Sequence, residues 1–407
     1  MTSEGKIIND PVSGFISIPD GLLLDIVQHP LMQRLRRIKQ LGLSSIVYPS
    51  ALHSRFMHSL GAYHLMTEAI ATLTAKGVFV FDGEAEAAEA AILMHDIGHG
   101  PFSHVLENTL ISGISHEEIS LLMMEKVNRE MNGRLDLALK IFRNDYPKHF
   151  LHQLISSQLD MDRLDYLRRD SFYTGVAEGN IGSARIIKML DVADDELVIN
   201  AKGIYSIENY LMARRSMYWQ VYLHKTAVAG EKMLVNTLLR AKHLAREGRV
   251  VYAPPALKYF LDNDVDAARF TSDAEAQHRY AALDDSDVYS ALKVWVDSDD
   301  EILSLLASSL VNRHIFKVEV SERPFDDECV ESLRRRLVAA TGVKYDDIHY
   351  IVSVDMIHKD MYDIDNDHIS ILHKDGTVRD FAMSSELFNN GLLSKKICKY
   401  YLCYLRI

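Results

Sequence analysis

The chain has 407 residues, 48% of them hydrophobic and 25% charged, a composition that excludes an intrinsically disordered protein. Its formal net charge of −12 excludes a broad basic surface for nucleic acid or anionic membranes. The three cysteines give no disulfide framework, and no apolar run reaches the roughly 18 residues that a membrane span needs. We therefore expect a cytoplasmic protein with neither a membrane nor nucleic acid as a partner.

Helical spacing of apolar residues dominates the first 245 residues. Residues 15 to 19 alternate as in a short strand, and a helix is predicted from Gly21 onward. A second helix is predicted over residues 31 to 41, where Gly42 ends it. The later helices are predicted over residues 58 to 76, 84 to 98, 116 to 130, 150 to 169 and 204 to 246. We interpret residues 1 to 250 as an all-α core.

The pattern changes near residues 245 to 255, where a soft domain boundary is predicted. Residues 251 to 407 begin with short, acidic, partly helical segments and become β-rich after residue 310. A hairpin is predicted to turn at Asp375-Gly376, and the last residues fit either a helix or a strand. The expected fold is mainly α, with a smaller C-terminal lobe of helices and α+β structure.

Candidate metal ligands occur in three separate segments of the core. They are His58, His95, Asp96 and Asp162. Two imidazoles and two carboxylates suit one divalent transition metal, Mn²⁺, Fe or Zn²⁺, with Mg²⁺ as a further option, and leave room for water and a phosphate oxygen. A single His-Asp pair is common, however, and usually means only a side-chain hydrogen bond. The dipeptide alone therefore does not establish a metal site.

The longer sequence motifs around these residues are far more specific than the single His-Asp pair. HSRFMHSLG at residues 53 to 61, HDIGHGPFSH at residues 95 to 104 and the later Asp162 follow one another in an order that resembles the HD-domain phosphohydrolase superfamily. Within it, the chain is similar to deoxynucleoside triphosphate triphosphohydrolases related to the animal sterile-alpha-motif/HD enzyme. The likeness runs from residue 9 to residue 225 and more faintly beyond. It implies a helical HD-domain core and hydrolysis of deoxynucleoside triphosphates to deoxynucleoside and inorganic triphosphate, with the four candidates as metal ligands.

The resemblance also implies catalytic residues beside the ligands. In the family, the histidine matching position 104 is a candidate acid or nucleophile that two carboxylates support, and two further histidines contact phosphate. The predicted catalytic residues are accordingly His104, Glu107, His116, Glu117 and His99. A histidine near phosphate donates hydrogen bonds when protonated, and a neighbouring carboxylate raises its pKa. His116 is explained equally well by a helix start after Ser115.

Three arginines are predicted to bind phosphate, because a planar guanidinium can bridge two phosphate oxygens. Arg55 precedes His58 by three residues, and Arg163 follows Asp162 directly. Arg214 matches a phosphate-binding arginine of the family when the chain is aligned back from YLHK at residues 222 to 225.

A second group of residues is predicted to recognise the deoxyribose. Two of them, Gln40 and Leu41, match family residues that lie beside the sugar. The group is Gln40, Leu41, Tyr166, Asp170 and Tyr222. Gln and Asp side chains can hydrogen-bond a 3′-hydroxyl, whereas Leu and Tyr against the 2′-carbon would leave a 2′-hydroxyl neither room nor a partner. A deoxynucleotide is therefore favoured over a ribonucleotide.

Two residues depart from the family pattern. Tyr218 stands where the family commonly has a histidine, and Gln28 stands where an acidic residue would read guanine at a nucleotide activator site. Since Gln offers one acceptor and one donor group, guanine-specific activation is not expected. The resemblance further implies a homo-oligomer, dimer or tetramer. Two alternatives stay open: an HD phosphohydrolase acting on another nucleotide phosphoester, and a non-catalytic nucleotide-sensing protein, against which the intact ligand set and His104 argue.

Overall fold

The computed structural model describes residues 5–102, 105–107, 109–359, 368–388 and 397–407. Over these residues the chain is mainly helical, with three small sheets of two, four and three strands. The expectation of a mainly α fold with a smaller α+β C-terminal region is confirmed. Within the same ranges, no helix has the length and apolar character needed to span a bilayer.

The N-terminal segment is a hairpin of β1 (Lys6–Asp10) and β2 (Gly14–Ile18), followed by helices α1 (Leu22–Gln28) and α2 (Pro30–Arg34). The helix predicted over residues 31 to 41 is wrong beyond residue 37, because the chain becomes extended there. The backbone N–H of Gln40 donates to the carbonyl of His53 at 2.9 Å, so pairing with a distant segment replaces the helical hydrogen bonds.

Nine further α-helices follow in the described residues before residue 247. They are α3 (Arg55–Ala75), α4 (Asp82–Met94), α5 (His116–Glu130), α6 (Asp136–Phe142), α7 (His149–Gln153), α8 (Met161–Thr174), α9 (Ser183–Met189), α10 (Ile204–Met217) and α11 (Lys225–Arg246). Helix α3 lies at the centre and packs against both α4 and α8. The helix predicted over residues 150 to 169 is divided by the loop 154–160. The helix predicted over residues 204 to 246 is divided by a π-helical turn at Tyr218–Tyr222.

Local capping explains one of these divisions. The side chain of Asp160 accepts the backbone N–H of Arg163 at 2.6 Å and so begins α8, and Gly175 ends that helix in the left-handed conformation with φ 74°. A second short hairpin, β3 (Leu190–Ala193) and β4 (Glu196–Asn200), also interrupts the helices, so the expected all-α core contains small β elements.

Among the described residues of the C-terminal part, seven further α-helices and five strands occur. The helices are α12 (Pro255–Asp262), α13 (Ala267–Ser272), α14 (Ala274–Ala282), α15 (Asp285–Trp295), α16 (Glu301–Val311), α17 (Asp327–Thr341) and α18 (Phe381–Ser384). The strands are β5 (Lys317–Ser321), β6 (Val352–Lys359), β7 (Ser370–Leu372), β8 (Val378–Asp380) and β9 (Ile397–Tyr404). The hairpin at Asp375-Gly376 is confirmed, and the final segment is a strand.

The two parts of the chain share their sheets and their cores. Strand β7 pairs in parallel with β4, which extends the short core hairpin to the order β3-β4-β7-β8. The other C-terminal sheet has the order β5-β9-β6 and packs with α11 over a second apolar cluster. Helices α12 to α16 contribute to the main core, and the domain boundary near residue 250 stays a prediction.

Candidate metal centre

Three helices bring the four candidate metal ligands together. His58 lies in the first turn of α3, Asp162 lies in the first turn of α8, and His95 and Asp96 follow the last residue of α4 directly. Alanines on α4, four of them at most 5% exposed, allow α3 and α4 to pack closely. The ligands are thus held at helix ends that converge on one point.

The donor atoms lie at separations that suit a common ion. Nε2 of His58 is 3.0 Å from Oδ1 of Asp162 and 3.3 Å from Nε2 of His95. Oδ1 of Asp96 is 3.3 Å from Nε2 of His95, and the atoms of the other three ligands all fall within 4.8 Å of one another. Ligands held at about 2.1 Å from one ion lie roughly 3 Å apart or slightly more, so this donor set fits a divalent metal.

The outer nitrogens of both imidazoles are fixed by hydrogen bonds. Nδ1 of His58 contacts Oδ2 of Asp165 at 2.8 Å, and Nδ1 of His95 donates to the carbonyl of Ile92 at 2.6 Å. Asp165 in turn accepts from Arg169 at 2.8 Å, and Arg169 donates to Asp10 at 2.7 Å. This buried chain of charges orients the ligand nitrogens toward the centre, as outer partners do in metal sites.

The electrostatics of the centre favour a positive charge. Burial alone would lower the pKa of His58, but its hydrogen bonds with Asp162 and Asp165 outweigh burial and raise the pKa to about 10. Burial likewise opposes ionisation of Asp162, yet hydrogen bonds with the two histidines hold the pKa of Asp162 below its ordinary value. The carboxylates therefore create the negative potential that a cation requires.

A second group of polar side chains adjoins the ligands. Nη1 of Arg55 donates to Oδ2 of Asp96 at 2.6 Å, and Nε2 of His99 lies 3.3 Å from the other oxygen of that carboxylate. The ring of His99 stacks on that of His116 with 4.0 Å between centroids, and Nδ1 of His116 lies 2.5 Å from Oε1 of Glu107. Three of the predicted catalytic residues, His99, His116 and Glu107, thus form one connected cluster beside Asp96.

Protonation of His99 differs from the expectation. Burial and the positive charge of Arg55 lower the pKa of His99 well below its ordinary value, and Asp96 does not compensate. The expectation that a nearby carboxylate keeps this histidine protonated is therefore wrong. His104 lies outside the described residues, and Glu117 is exposed at the cavity rim.

A cavity of ≈ 580 Å³ opens from the centre, a volume typical of small-molecule sites. The whole predicted sugar group lines it: Gln40, Leu41, Tyr166, Asp170 and Tyr222. Oδ1 of Asp170 lies 2.7 Å from Nε2 of the buried His53, and Oδ2 accepts the Tyr222 hydroxyl at 2.8 Å. Oε1 of Gln40 is buried and has no hydrogen-bond partner among the described residues. A polar ligand group is the natural partner for such an atom.

Two predicted phosphate ligands do not line this cavity. Arg163 donates from Nε to Oδ2 of Asp160 at 3.1 Å, and Arg214 donates to Oε1 of Gln158 at 2.7 Å while lying 6.0 Å from the centre of the Tyr218 ring. Both guanidinium groups are thus engaged with polar side chains of the protein. Their contact with outer phosphates stays a prediction.

Several residues that shape the site were missed at the level of sequence. Asp285, at the start of α15, accepts the backbone N–H of Lys39 at 3.0 Å and of Phe102 at 3.1 Å, so one carboxylate fixes two walls of the cavity. Phe102 itself has a φ of 54°, the left-handed region that non-glycine residues adopt only under constraint. The sequence signal for Asp285 was no more than that of an acidic residue in the first turn of a helix, directly after the cap residue Asp284.

Family comparisons agree with this geometry. A model of the HD domain matches residues 55–170, which include all four candidate ligands, and a model of an HD associated region matches residues 181–251.

Two relatives cover most of the chain. The crystal structure of a phosphohydrolase from Bacteroides thetaiotaomicron is 61% identical, with a TM-score of 0.97, over 99% of this chain and 100% of that one. The uncharacterized protein YwfO of Bacillus subtilis is 35% identical over 322 residues, which is 77% of this chain and 72% of the relative.

Human deoxynucleoside triphosphate triphosphohydrolase SAMHD1 is a more distant relative. It is 30% identical over 280 residues, which is 58% of this chain and 44% of the human protein. The chain therefore matches less than half the length of that enzyme.

Proposed function

This chain belongs to the HD-domain family of phosphohydrolases, and from that premise we propose that it hydrolyses deoxynucleoside triphosphates to deoxynucleoside and inorganic triphosphate. The observation that carries the proposal is the direct junction between the His and Asp centre and a cavity whose wall holds Gln40 with an unsatisfied buried oxygen. Human SAMHD1 and its Dictyostelium discoideum homolog, both named triphosphohydrolases, support the substrate class.

The donor set of His58, His95, Asp96 and Asp162 would hold one divalent metal. The chemistry that such a metal supplies when bound is Lewis-acid polarisation of a phosphate ester and a lowered pKa for water. Mn²⁺, Fe and Zn²⁺ suit the mixture of imidazole and carboxylate ligands, and Mg²⁺ suits the carboxylates. The remaining steps fall to the protein's own side chains.

Arg55 is suited to hold the α-phosphate. Its guanidinium is 4% exposed, lines the cavity and donates to Asp96 from one nitrogen, so its orientation is fixed before a substrate enters. A fixed, desolvated cation next to the centre stabilises the charge that grows on phosphate oxygens as the P–O bond breaks. In our proposal, Arg163 and Arg214 attract the outer phosphates.

Proton transfer is assigned to the histidine cluster. Glu107 fixes the ring of His116 through Nδ1, and His116 lines the cavity, so it is oriented to donate to a phosphate oxygen. We assign protonation of the leaving 5′-oxygen to His104. With cleavage between the α-phosphorus and that oxygen, water supplies the new oxygen on triphosphate and the proton ends on the deoxynucleoside.

Sugar selection is assigned to the opposite wall. Asp170 accepts from Tyr222 and contacts His53, which fixes its carboxylate in the wall of the cavity that Gln40 also lines. Gln40 or Asp170 would accept the hydrogen bond that the 3′-hydroxyl donates, and Leu41 and Tyr166 would pack against the 2′-carbon. A 2′-hydroxyl would then be buried without a hydrogen-bond partner, which costs about 1–3 kcal/mol.

The test is hydrolysis by the purified full chain with Mn²⁺ or Mg²⁺, using dNTPs, NTPs and deoxynucleoside monophosphates. We expect deoxynucleoside and triphosphate in equal amounts, resolved by ion exchange and ³¹P NMR, and ¹⁸O from labelled water in the triphosphate. Asp162→Asn, purified identically, is the control for contaminating phosphatases. Pyrophosphate with monophosphate, or turnover of monophosphates alone, would contradict the proposal and favour another phosphoester.

We also propose that the chain forms a homo-oligomer. On the N-terminal hairpin, Ile7 and Phe15 share one face and are 70% and 73% exposed, while Ile16 and Ile18 on the other face are buried. Exposed apolar side chains clustered on one face are typical of interaction surfaces. A strict monomer by light scattering at micromolar concentration, with and without nucleotide, would exclude this assembly.

A further inference from the structure

Glu231 is a cavity-lining carboxyl that the proposed reaction does not use. It lies two turns into α11, it is half-buried, and it makes no hydrogen bond or ion pair with any residue in the described ranges. The neighbouring Lys232 is turned to the other side, where it donates to Asp355 at 2.9 Å. An unpartnered carboxyl in a cavity wall is costly unless a ligand or water satisfies it.

The backbone around Glu231 is built for close packing. A Cβ at Gly230 would lie 2.9 Å from Cδ1 of Ile46, so the glycine lets the turn Ser44–Ile46 approach α11 directly. Ser44, Leu223 and Glu231 line the cavity together on this side. The backbone of α11 that carries Glu231 is therefore packed closely against this turn.

The position suits the nucleobase. A deoxyribose joins the phosphate through its 5′-carbon and the base through its 1′-carbon, so a base must lie beyond the sugar group as seen from the metal centre. The metal ligands lie on α3, α8 and the end of α4, whereas α11 packs on the turn Ser44–Ile46, on α12 and α16 and on the C-terminal sheet. Glu231 thus belongs to the wall that does not carry the metal ligands.

We propose that Glu231 is a substrate-binding residue that hydrogen-bonds the edge of the nucleobase, an inference that rests on the proposed nucleotide substrate. Burial raises the pKa of the Glu231 carboxyl to about 8, so the group is neutral at pH 7. A neutral carboxyl has one donor and one acceptor, and its proton can occupy either oxygen. Every base offers an adjacent donor and acceptor on its pairing edge, so a neutral Glu231 accommodates all four bases.

The test separates base contact from every other role. Titration calorimetry of the full chain in EDTA, where no turnover occurs, compares the four dNTPs with 2-deoxyribose 5-triphosphate, which has the sugar and phosphates but no base. Glu231→Leu removes the hydrogen bonds and keeps the volume, and Glu231→Gln keeps one donor and one acceptor. We expect Glu231→Leu to weaken all four dNTPs about tenfold and the abasic compound less than twofold, with Glu231→Gln close to the wild type.

Two outcomes overturn the inference. One is equal dNTP affinity for Glu231→Leu and the wild type. The other is an equal loss for the abasic compound, which would mean that Glu231 supports the sugar or phosphate end. Melting curves show whether each variant is folded, and Glu231→Gln serves as the folded reference if the leucine variant is not. Because binding is measured without turnover, a wild type that binds dNTPs but releases no triphosphate contradicts the proposed reaction alone.

Discussion

Nδ1 of His58 donates a hydrogen bond to Oδ2 of Asp165 at 2.8 Å, and this contact decides which nitrogen of the ring faces the candidate metal centre. Asp165 is itself fixed by Arg169, and both are buried. Burial opposes the ionisation of Asp165, but Arg169 and then His58 outweigh it and lower the pKa of Asp165 below its ordinary value. Asp165 is therefore a charged acceptor that makes the imidazole a stronger ligand.

Asp165→Asn is expected to weaken metal binding by about 10–100-fold, the usual effect of removing an outer carboxylate. Competition with a chelating dye measures the affinity, and the metal content is checked by mass spectrometry. Asp25→Asn is the matched control, because Asp25 is exposed and pairs only with Arg134 on the surface. Unchanged affinity in a folded Asp165→Asn variant would refute the role of Asp165.

Glu107→Ala is expected to lower kcat by about tenfold or more with little change in KM, because His116 loses the acceptor that orients its ring. Glu118→Ala is the control: Glu118 also accepts a backbone N–H at the start of α5, from Ser115 at 2.8 Å, but it does not line the cavity. Steady-state kinetics on one dNTP compares them. An equal fall in kcat for both would mean that only the helix start matters.

Gly98→Ala is expected to destabilise the fold by about 2–4 kcal/mol, since overpacking against backbone leaves little room to relax. A Cβ at Gly98 would lie 2.2 Å from the backbone nitrogen of Ser120 and 2.3 Å from the carbonyl of His116. Gly182→Ala is the control, because a Cβ there meets nothing within 4 Å and φ is −80°. Urea unfolding monitored by circular dichroism measures both, and equal stability would contradict this close approach.

The fold brings together the four residues that the sequence predicted as metal ligands, and their role as ligands stays a prediction. Imidazole and carboxylate residues in specific strings identify a metal-binding family, and helical spacing located α3, α4 and α5 within a few residues. The periodicity failed where tertiary pairing replaced helical hydrogen bonds, as at Ile38 to Gln40, which pair with the segment before α3.

The outer residues of the site were harder to predict, because their roles come from contacts across the chain. Asp285 lies 183 residues after Phe102 in the chain, and no local pattern distinguishes it from any acidic residue in the first turn of a helix. Asp165 had a local signal, three residues after Asp162 and four before Arg169, which places an acceptor and its cation on one face of α8. Arg163 and Arg214 were predicted to bind phosphate from their charge and from alignment with the family. Neither signal reveals that Arg163 donates a hydrogen bond to Asp160 and Arg214 to Gln158.

Leu41→Ala is expected to reduce the preference for deoxynucleotides about tenfold, measured as the ratio of kcat/KM for dATP to that for ATP. Leu41 lines the cavity and is only 9% exposed, so its truncation opens space for a 2′-hydroxyl and for water. Leu35→Ala is the control, because Leu35 is fully buried but does not line the cavity. A ratio that changes equally in both variants would assign the effect to core packing.

Glu231→Gln is expected to become more stable relative to the wild type as the pH rises from 5 to 8. Burial raises the pKa of Glu231 to about 8, so between the ordinary glutamate pKa and this value the folded state holds a proton that the unfolded state has lost. Stability of the wild type therefore falls across this window, and the glutamine variant has no such group. Because the carboxyl faces a cavity that water can enter, the difference should reach only about 1–2 kcal/mol.

Urea unfolding of both proteins at several pH values measures the difference in the free energy of unfolding, in which the titration of the shared histidines and carboxylates cancels. A difference that stays constant from pH 5 to 8 would mean that Glu231 is already ionised in the folded protein, and the base-reading role would then require a partner with two donors, as guanine has.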